Sequence, residues 1–160
     1  MKSLSKLSIL AVALSLTACG TEEGNISAAN GKPVAAVAPP AGTSWSETVA
    51  DTPEGNFLMG NPAAKVKLVE FGSYTCSHCS DFSAEASEEI RKLVDTGKIS
   101  FEFRPYVRDP IDLATALLAR CGGKDIFYPL SEQFFANQAA MFDKAQALGD
   151  AGYQAAVSAP

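Results

Sequence analysis

The chain has 160 residues, 47% hydrophobic and 19% charged, with a formal net charge of −5. That length suits one domain with a modest core, and the low charged share excludes a charge-rich disordered chain or a coiled coil. An acidic chain with no Lys/Arg cluster gains nothing from counterion release, which argues against nucleic acid as a partner.

Lys2 and Lys6 form a positive N-terminal region, followed by an apolar stretch from Leu7 to Leu16. The stretch is too short to span a bilayer as a stable helix, so residues 1–18 are expected to be an export signal. Its end, Leu16-Thr17-Ala18-Cys19, resembles a bacterial lipobox, in which the cysteine is lipidated and becomes the first mature residue. The alternative is an ordinary signal peptide with an incidental Cys19. Residues 20–44 hold four Gly, three Pro and six Ala and no aromatic residue. Such a segment buries too little surface to offset its ordering entropy, so 19–44 is expected to be a lipid-anchored flexible linker. Gly20 lacks the Asp that resembles an inner-membrane retention signal, a hint toward the outer membrane.

The folded part, 45–160, is expected to begin at Trp45, with a short edge strand over Asn56–Met59. Lys65–Phe71 is aliphatic and β-branched and reads as a central strand. A helix follows with Phe82, Ala86, Ile90, Leu93 and Val94 on one face, acids ahead of Arg91 and Lys92, and Gly97 as its stop. Ile99, Phe101 and Phe103 alternate with Ser100, Glu102 and Arg104, the pattern of a half-buried strand. Strand, helix and strand within about forty residues predict a βαβ unit with parallel strands and a right-handed crossover. Asp109 and Pro110 then open a helix as N-cap and first residue, with Ile111, Ala114, Leu118 and Cys121 on its apolar face and Gly122-Gly123 ending it. A third helix is expected from Pro129, with Leu130, Phe134, Met141, Ala145 and Leu148 as a core stripe.

The chemistry gathers at Cys76-Ser77-His78-Cys79, where the first strong strand gives way to a helix. Two intervening residues let the thiols meet in a small ring. At the helix start, Cys76 faces unpaired N–H groups and the positive end of the helix dipole, which favour its thiolate. Cys79 lies one turn further in and can resolve a mixed disulfide formed at Cys76. His78, the only histidine, would stabilise that thiolate further if protonated. Two other uses of the pair stand beside redox chemistry. One is a structural disulfide, although a three-residue loop constrains little of the unfolded chain. The other is a zinc or copper site on Cys76, His78 and Cys79, although no second Cys/His cluster exists to complete it. Cys121, at a helical core position, is expected to be a buried, inert thiol.

The segments Gly60-Asn61-Pro62-Ala63-Ala64-Lys65-Val66, Val69 through Cys79, and Phe101-Glu102-Phe103-Arg104 together resemble the DsbA family of thioredoxin-like disulfide oxidoreductases. The helices after Pro110, with Leu117-Leu118-Ala119-Arg120-Cys121, resemble that family's helical insertion. The resemblance implies an α/β fold: a thioredoxin-like βαβ core with an inserted helical subdomain at about 110–150. It also implies Cys76 as attacking thiol, Cys79 as its covered partner, His78 as tuning residue and no bound cofactor. The substrates would be exported cysteine-containing proteins, served at the periplasmic face of a membrane with a membrane redox partner. A reductase or isomerase of the same fold, a metal-handling lipoprotein and an inactive binding module are the alternatives. Ser77 stands where the strongest oxidants commonly carry proline, and nothing after Cys121 matches the family's cis-proline loop and last ββα part. A longer parent protein is therefore expected.

Overall fold

A computed structural model describes residues 33–158. The export signal, Cys19 and the linker up to residue 32 lie outside the described residues. Four strands form one sheet: β1 (Val49–Asp51), β2 (Phe57–Gly60), β3 (Val66–Gly72) and β4 (Ile99–Pro105). Five helices accompany them: α1 (Ser77–Asp95), α2 (Pro110–Cys121), α3 (Lys124–Ala136), α4 (Gln138–Ala147) and α5 (Gly149–Val157).

The expected βαβ unit is β3–α1–β4. Its strands run parallel, with Val66 opposite Ile99 and Phe71 opposite Arg104. The sheet order is β1-β2-β4-β3, with β2 antiparallel to both of its neighbours. Two expectations about strand position are thereby corrected. The strand near Asn56–Met59 is an inner one, buried at all four positions, because β1 covers its free side. The strand read as central instead stands at the end of the described sheet, paired only with β4, and leaves Phe71 66% exposed beneath the Arg104 guanidinium. An apolar run reports hydrophobic faces and says nothing of which edge finds a partner.

β4 is also buried more completely than its alternation predicts. Ser100 and Glu102 are buried together with Phe101 and Phe103. Glu102 is tolerated there because Arg104 returns along the same strand face to meet both its carboxylate oxygens, at 2.8 and 3.0 Å. Against this sheet packs an aromatic core of Phe57, Tyr74, Phe101, Phe103, Phe127, Tyr128 and Phe135. Its ring centroids lie 4.8 to 6.3 Å apart, in tilted and edge-on pairs.

α1 buries Ile90 and Val94 as expected, but Phe82 and Leu93 of the same stripe stay exposed. It stops at Gly97, whose φ of +69° suits glycine. α2 begins as read, with Pro110 in its first turn and the Asp109 carboxylate accepting from the Asp112 N–H at 2.8 Å. Its buried face is a different one: Asp112, Thr115, Ala116 and Ala119 point inward. Leu118 and Cys121 are exposed, so the expectation of a buried Cys121 is corrected. The third helix starts earlier than expected, at Lys124 with Pro129 inside it, and buries Phe127, Tyr128, Ser131 and Phe135. The chain then breaks at Asn137 into α4, and α5 carries the helices past residue 150.

Candidate active site

The turn Ser73-Tyr74-Thr75 leads from the end of β3 into α1, and Cys76 occupies the N-cap position with φ −94° and ψ 119°. Its side chain does not cap the helix by hydrogen bonding, and its carbonyl accepts from the N–H groups of Cys79 and Ser80, each at 3.1 Å. Gly72, just before the turn, must stay bare: a Cβ there would lie 2.5 Å from the Phe103 ring.

Both cysteines of the pair are free thiols and partly exposed, but their surroundings drive them apart. The Cys76 thiol is held below the usual thiol range, first by the nearby Cys79 backbone N–H, then by the Cys79 thiol and the His78 backbone N–H, and lastly by the Arg108 charge. Burial pushes the Cys79 thiol up, helped by its contact with Cys76 and by the nearby charge of Glu70. The two thiols are thus biased in opposite directions, Cys76 toward the thiolate and Cys79 toward the thiol. His78 is exposed, and it reaches Cys76 through its backbone N–H.

Three residues that the sequence reading did not single out by role surround this pair. Glu70, half-buried on β3, borders a cavity of about 30 Å³ whose other walls include Met59, Phe82, Ile90, Phe101 and Phe103. Burial among these groups pushes its carboxyl up to about 7. Asp112, fully buried, accepts from the Ser73 hydroxyl at 2.5 Å, the Tyr74 N–H at 2.9 Å and the Arg108 N–H at 3.1 Å. Arg108 in turn donates from Nε to Ser73 Oγ at 2.9 Å and from Nη2 to Thr75 Oγ1 at 3.2 Å. Glu70 was hidden by the strand that contains it. Asp112 stands two residues past Pro110 and belongs to no motif in the sequence.

Beside Arg108 and Asp109 opens an apolar groove of about 810 Å³ along α2, walled by Val107, Ile111, Leu113, Leu117, Leu118 and Met141. Among the described residues, no group of three or more His, Cys, Asp or Glu side chains is gathered closely enough to hold a metal ion. Cys76, His78 and Cys79 therefore form no such cluster. Cys121 lies at the far end of α2 from Asp112.

A strand–CxxC–helix with its first cysteine at the helix N-terminus is the arrangement of the thioredoxin class of fold. Residues 52–159 match the family model described as Thioredoxin, and the chain belongs to that family. It is 35% identical over 71 residues to a provisionally named protein-disulfide oxidoreductase of Rickettsia bellii, covering 44% of this chain and 27% of that protein. The counterpart in Rickettsia prowazekii is also 35% identical over 71 residues, which is 26% of its length. Among solved structures, it is similar to a protein-disulfide isomerase from Novosphingobium aromaticivorans, with 42% identity and a TM-score of 0.56 over 61% of this chain and 50% of that one. A thiol-disulfide oxidoreductase from Corynebacterium diphtheriae, 16% identical with a TM-score of 0.51, covering 69% of this chain and 68% of that one, shares the fold. The chain spans about a quarter of the length of the curated relatives it matches and half of the Novosphingobium protein. The likeness to thioredoxin-like disulfide oxidoreductases drawn from the sequence is met.

Proposed function

We propose that this protein is an extracytoplasmic thiol-disulfide oxidoreductase that exchanges disulfides with exported cysteine-containing proteins through Cys76 and Cys79. The observation that carries the reading is the opposed setting of the two thiols. Cys76 sits at the start of α1, where N–H groups favour its thiolate, while partial burial one turn further in favours the thiol form of Cys79. The names of the similar proteins from Rickettsia bellii and Novosphingobium aromaticivorans support the same class of reaction.

In the oxidising direction, a substrate thiolate attacks Cys76 Sγ of the Cys76–Cys79 disulfide. A sulfur–sulfur bond forms between substrate and Cys76, and Cys79 leaves as a thiolate. Burial and the nearby charge of Glu70 favour the return of that thiolate to its thiol form. A second substrate thiolate then attacks the substrate sulfur of the mixed disulfide and releases the Cys76 thiolate. The substrate leaves oxidised by two electrons, and the reduced pair passes those electrons to a membrane redox partner. The apolar groove along α2 suits an extended, incompletely folded polypeptide.

The name of the Novosphingobium protein favours a second direction, isomerisation or reduction from the dithiol form. A glutathione titration with alkylation read by mass tests both. A midpoint near about −120 to −180 mV identifies a disulfide donor or isomerase, and one near about −270 mV a reductant. Normal turnover in Cys76→Ser would sink the mechanism. The tether through Cys19 is tested separately, by loss of lipid labelling and of membrane association in Cys19→Ala.

A further inference from the structure

The reactive turn is gripped from two sides by the helical region. On one side, the buried Asp112 of α2 receives the Ser73 hydroxyl and the Tyr74 N–H. On the other, the buried Gln138 of α4 donates from Nε2 to the carbonyls of Tyr74 at 2.8 Å and Cys76 at 3.0 Å. Donors and acceptors of the same short stretch of backbone are thus tied to two helices that follow the βαβ unit. We propose that Asp112 and Gln138 are positioning residues of the redox centre, holding the Cys76 backbone in its N-cap conformation, φ −94° and ψ 119°, at the start of α1.

The chemistry of Asp112 argues for geometry over charge. A carboxylate next to a site that must hold a thiolate works against it by like-charge repulsion. Its cost is offset by three donors, and its use there is to fix the turn. Gln138 carries no charge, so its grip on Tyr74 and Cys76 acts through position alone. The charged and titratable groups around Cys76 are Cys79 and His78 on α1, Glu70 on β3, Arg108 ahead of α2, and Asp109 and Asp112 at its start; α4 contributes only the neutral amide of Gln138. When the turn loosens, Cys76 moves away from the Cys79 backbone N–H and thiol, the largest influences favouring its thiolate, and from the N–H of His78.

The inference rests on the redox reading of Cys76 but is read out without turnover. The full-length protein is reduced, and Cys76 alkylation by iodoacetamide is followed by mass across pH in wild type, Asp112→Asn and Gln138→Leu. Urea unfolding is measured alongside. Each variant is expected to move the Cys76 midpoint upward by about half a unit or more, slowing alkylation roughly threefold below the midpoint. An unchanged midpoint with lowered stability in both variants would overturn the proposal, leaving the two residues a purely structural role. A downward shift in Asp112→Asn would also overturn it for that residue, because removal of a repelling charge alone has that sign. If Asp112→Asn does not fold, Gln138→Leu decides the matter, since it changes no charge. A wild-type protein with no glutathione midpoint would defeat the redox reading by itself, while the alkylation shift would still answer for the two positioning residues.

Discussion

The Tyr74 phenol and the Ser131 hydroxyl meet at 2.7 Å inside the core, 57 residues apart in sequence, and join the turn ahead of Cys76 to α3. The Ser131 proton is committed to the Phe127 carbonyl at 2.7 Å, so Tyr74 must be the donor of the pair. Burial pushes the phenol up to about 12, so it stays protonated in that role throughout the working range. The two halves of this bond are not equivalent. Tyr74→Phe leaves a serine oxygen that still donates, at a cost of about 1 kcal/mol. Ser131→Ala strands a buried phenolic O–H, which costs about 1–3 kcal/mol. Urea unfolding of the two variants is expected to rank Ser131→Ala as the less stable, and the reverse order would contradict the assignment of donor.

Legibility in the sequence followed the scale of the interaction that decides each feature. The βαβ unit, the Cys76 position at a helix start, the Asp109 cap and the Gly97 stop are local, and residue type with spacing was enough to place them. The buried face of α2 was not legible, because it is chosen by the tie between Asp112 and the Ser73–Tyr74 turn almost forty residues earlier. That tie turns the small residues Ala116 and Ala119 inward and leaves Leu113, Leu117 and Leu118 outside. Hydrophobic periodicity assumes that the largest apolar stripe is buried, and here a polar anchor wins over it. Gln138 escaped notice for a related reason: the expected third helix ran straight through Asn137, where the chain in fact breaks and presents a new helix start to the active site.

The cysteines should separate by reactivity in the folded, reduced protein. The polar groups of Cys79 and the backbone N–H of His78 favour the Cys76 thiolate, whereas burial favours the thiol form of Cys79. Alkylation at pH 6 to 7, read residue by residue by mass, is expected to label Cys76 before Cys79. Cys121 is exposed and should be labelled without unfolding, against the sequence expectation of an inert core thiol. Protection of Cys121 until the protein unfolds would return it to the core and contradict the observed face of α2.

Trp45, the only tryptophan, is buried, and its indole N–H donates to the Val37 carbonyl at 2.7 Å. The Val37 N–H donates to the Thr96 carbonyl at 3.0 Å, so this contact closes over the end of α1. Gly97 makes it possible: its φ is +69°, and a Cβ would strike the Val37 carbonyl and the Trp45 indole nitrogen. Gly97→Ala therefore combines backbone strain of about 1 kcal/mol or more with a steric clash. The expected outcome is a lower unfolding midpoint together with a red-shifted Trp45 emission. Loss of stability without any spectral change would place the damage elsewhere.

Glu70 sets the expected pH dependence. Its carboxyl is pushed by burial from 4.5 in the unfolded chain to about 7 in the fold, so the native state binds the extra proton between those values. For a group raised on folding, its contribution is fully present below the unfolded pKa and is lost as pH rises through the folded one. Wild-type stability is therefore expected to fall between pH 4.5 and 7 by more than in Glu70→Gln, whose side chain carries no proton to lose. The half-buried position of Glu70 lets solvent screen part of this penalty, so the difference of slopes is the quantity to compare. Urea unfolding at pH 5, 6, 7 and 8 measures it. Parallel curves for the two proteins would mean that Glu70 titrates as an ordinary carboxylate.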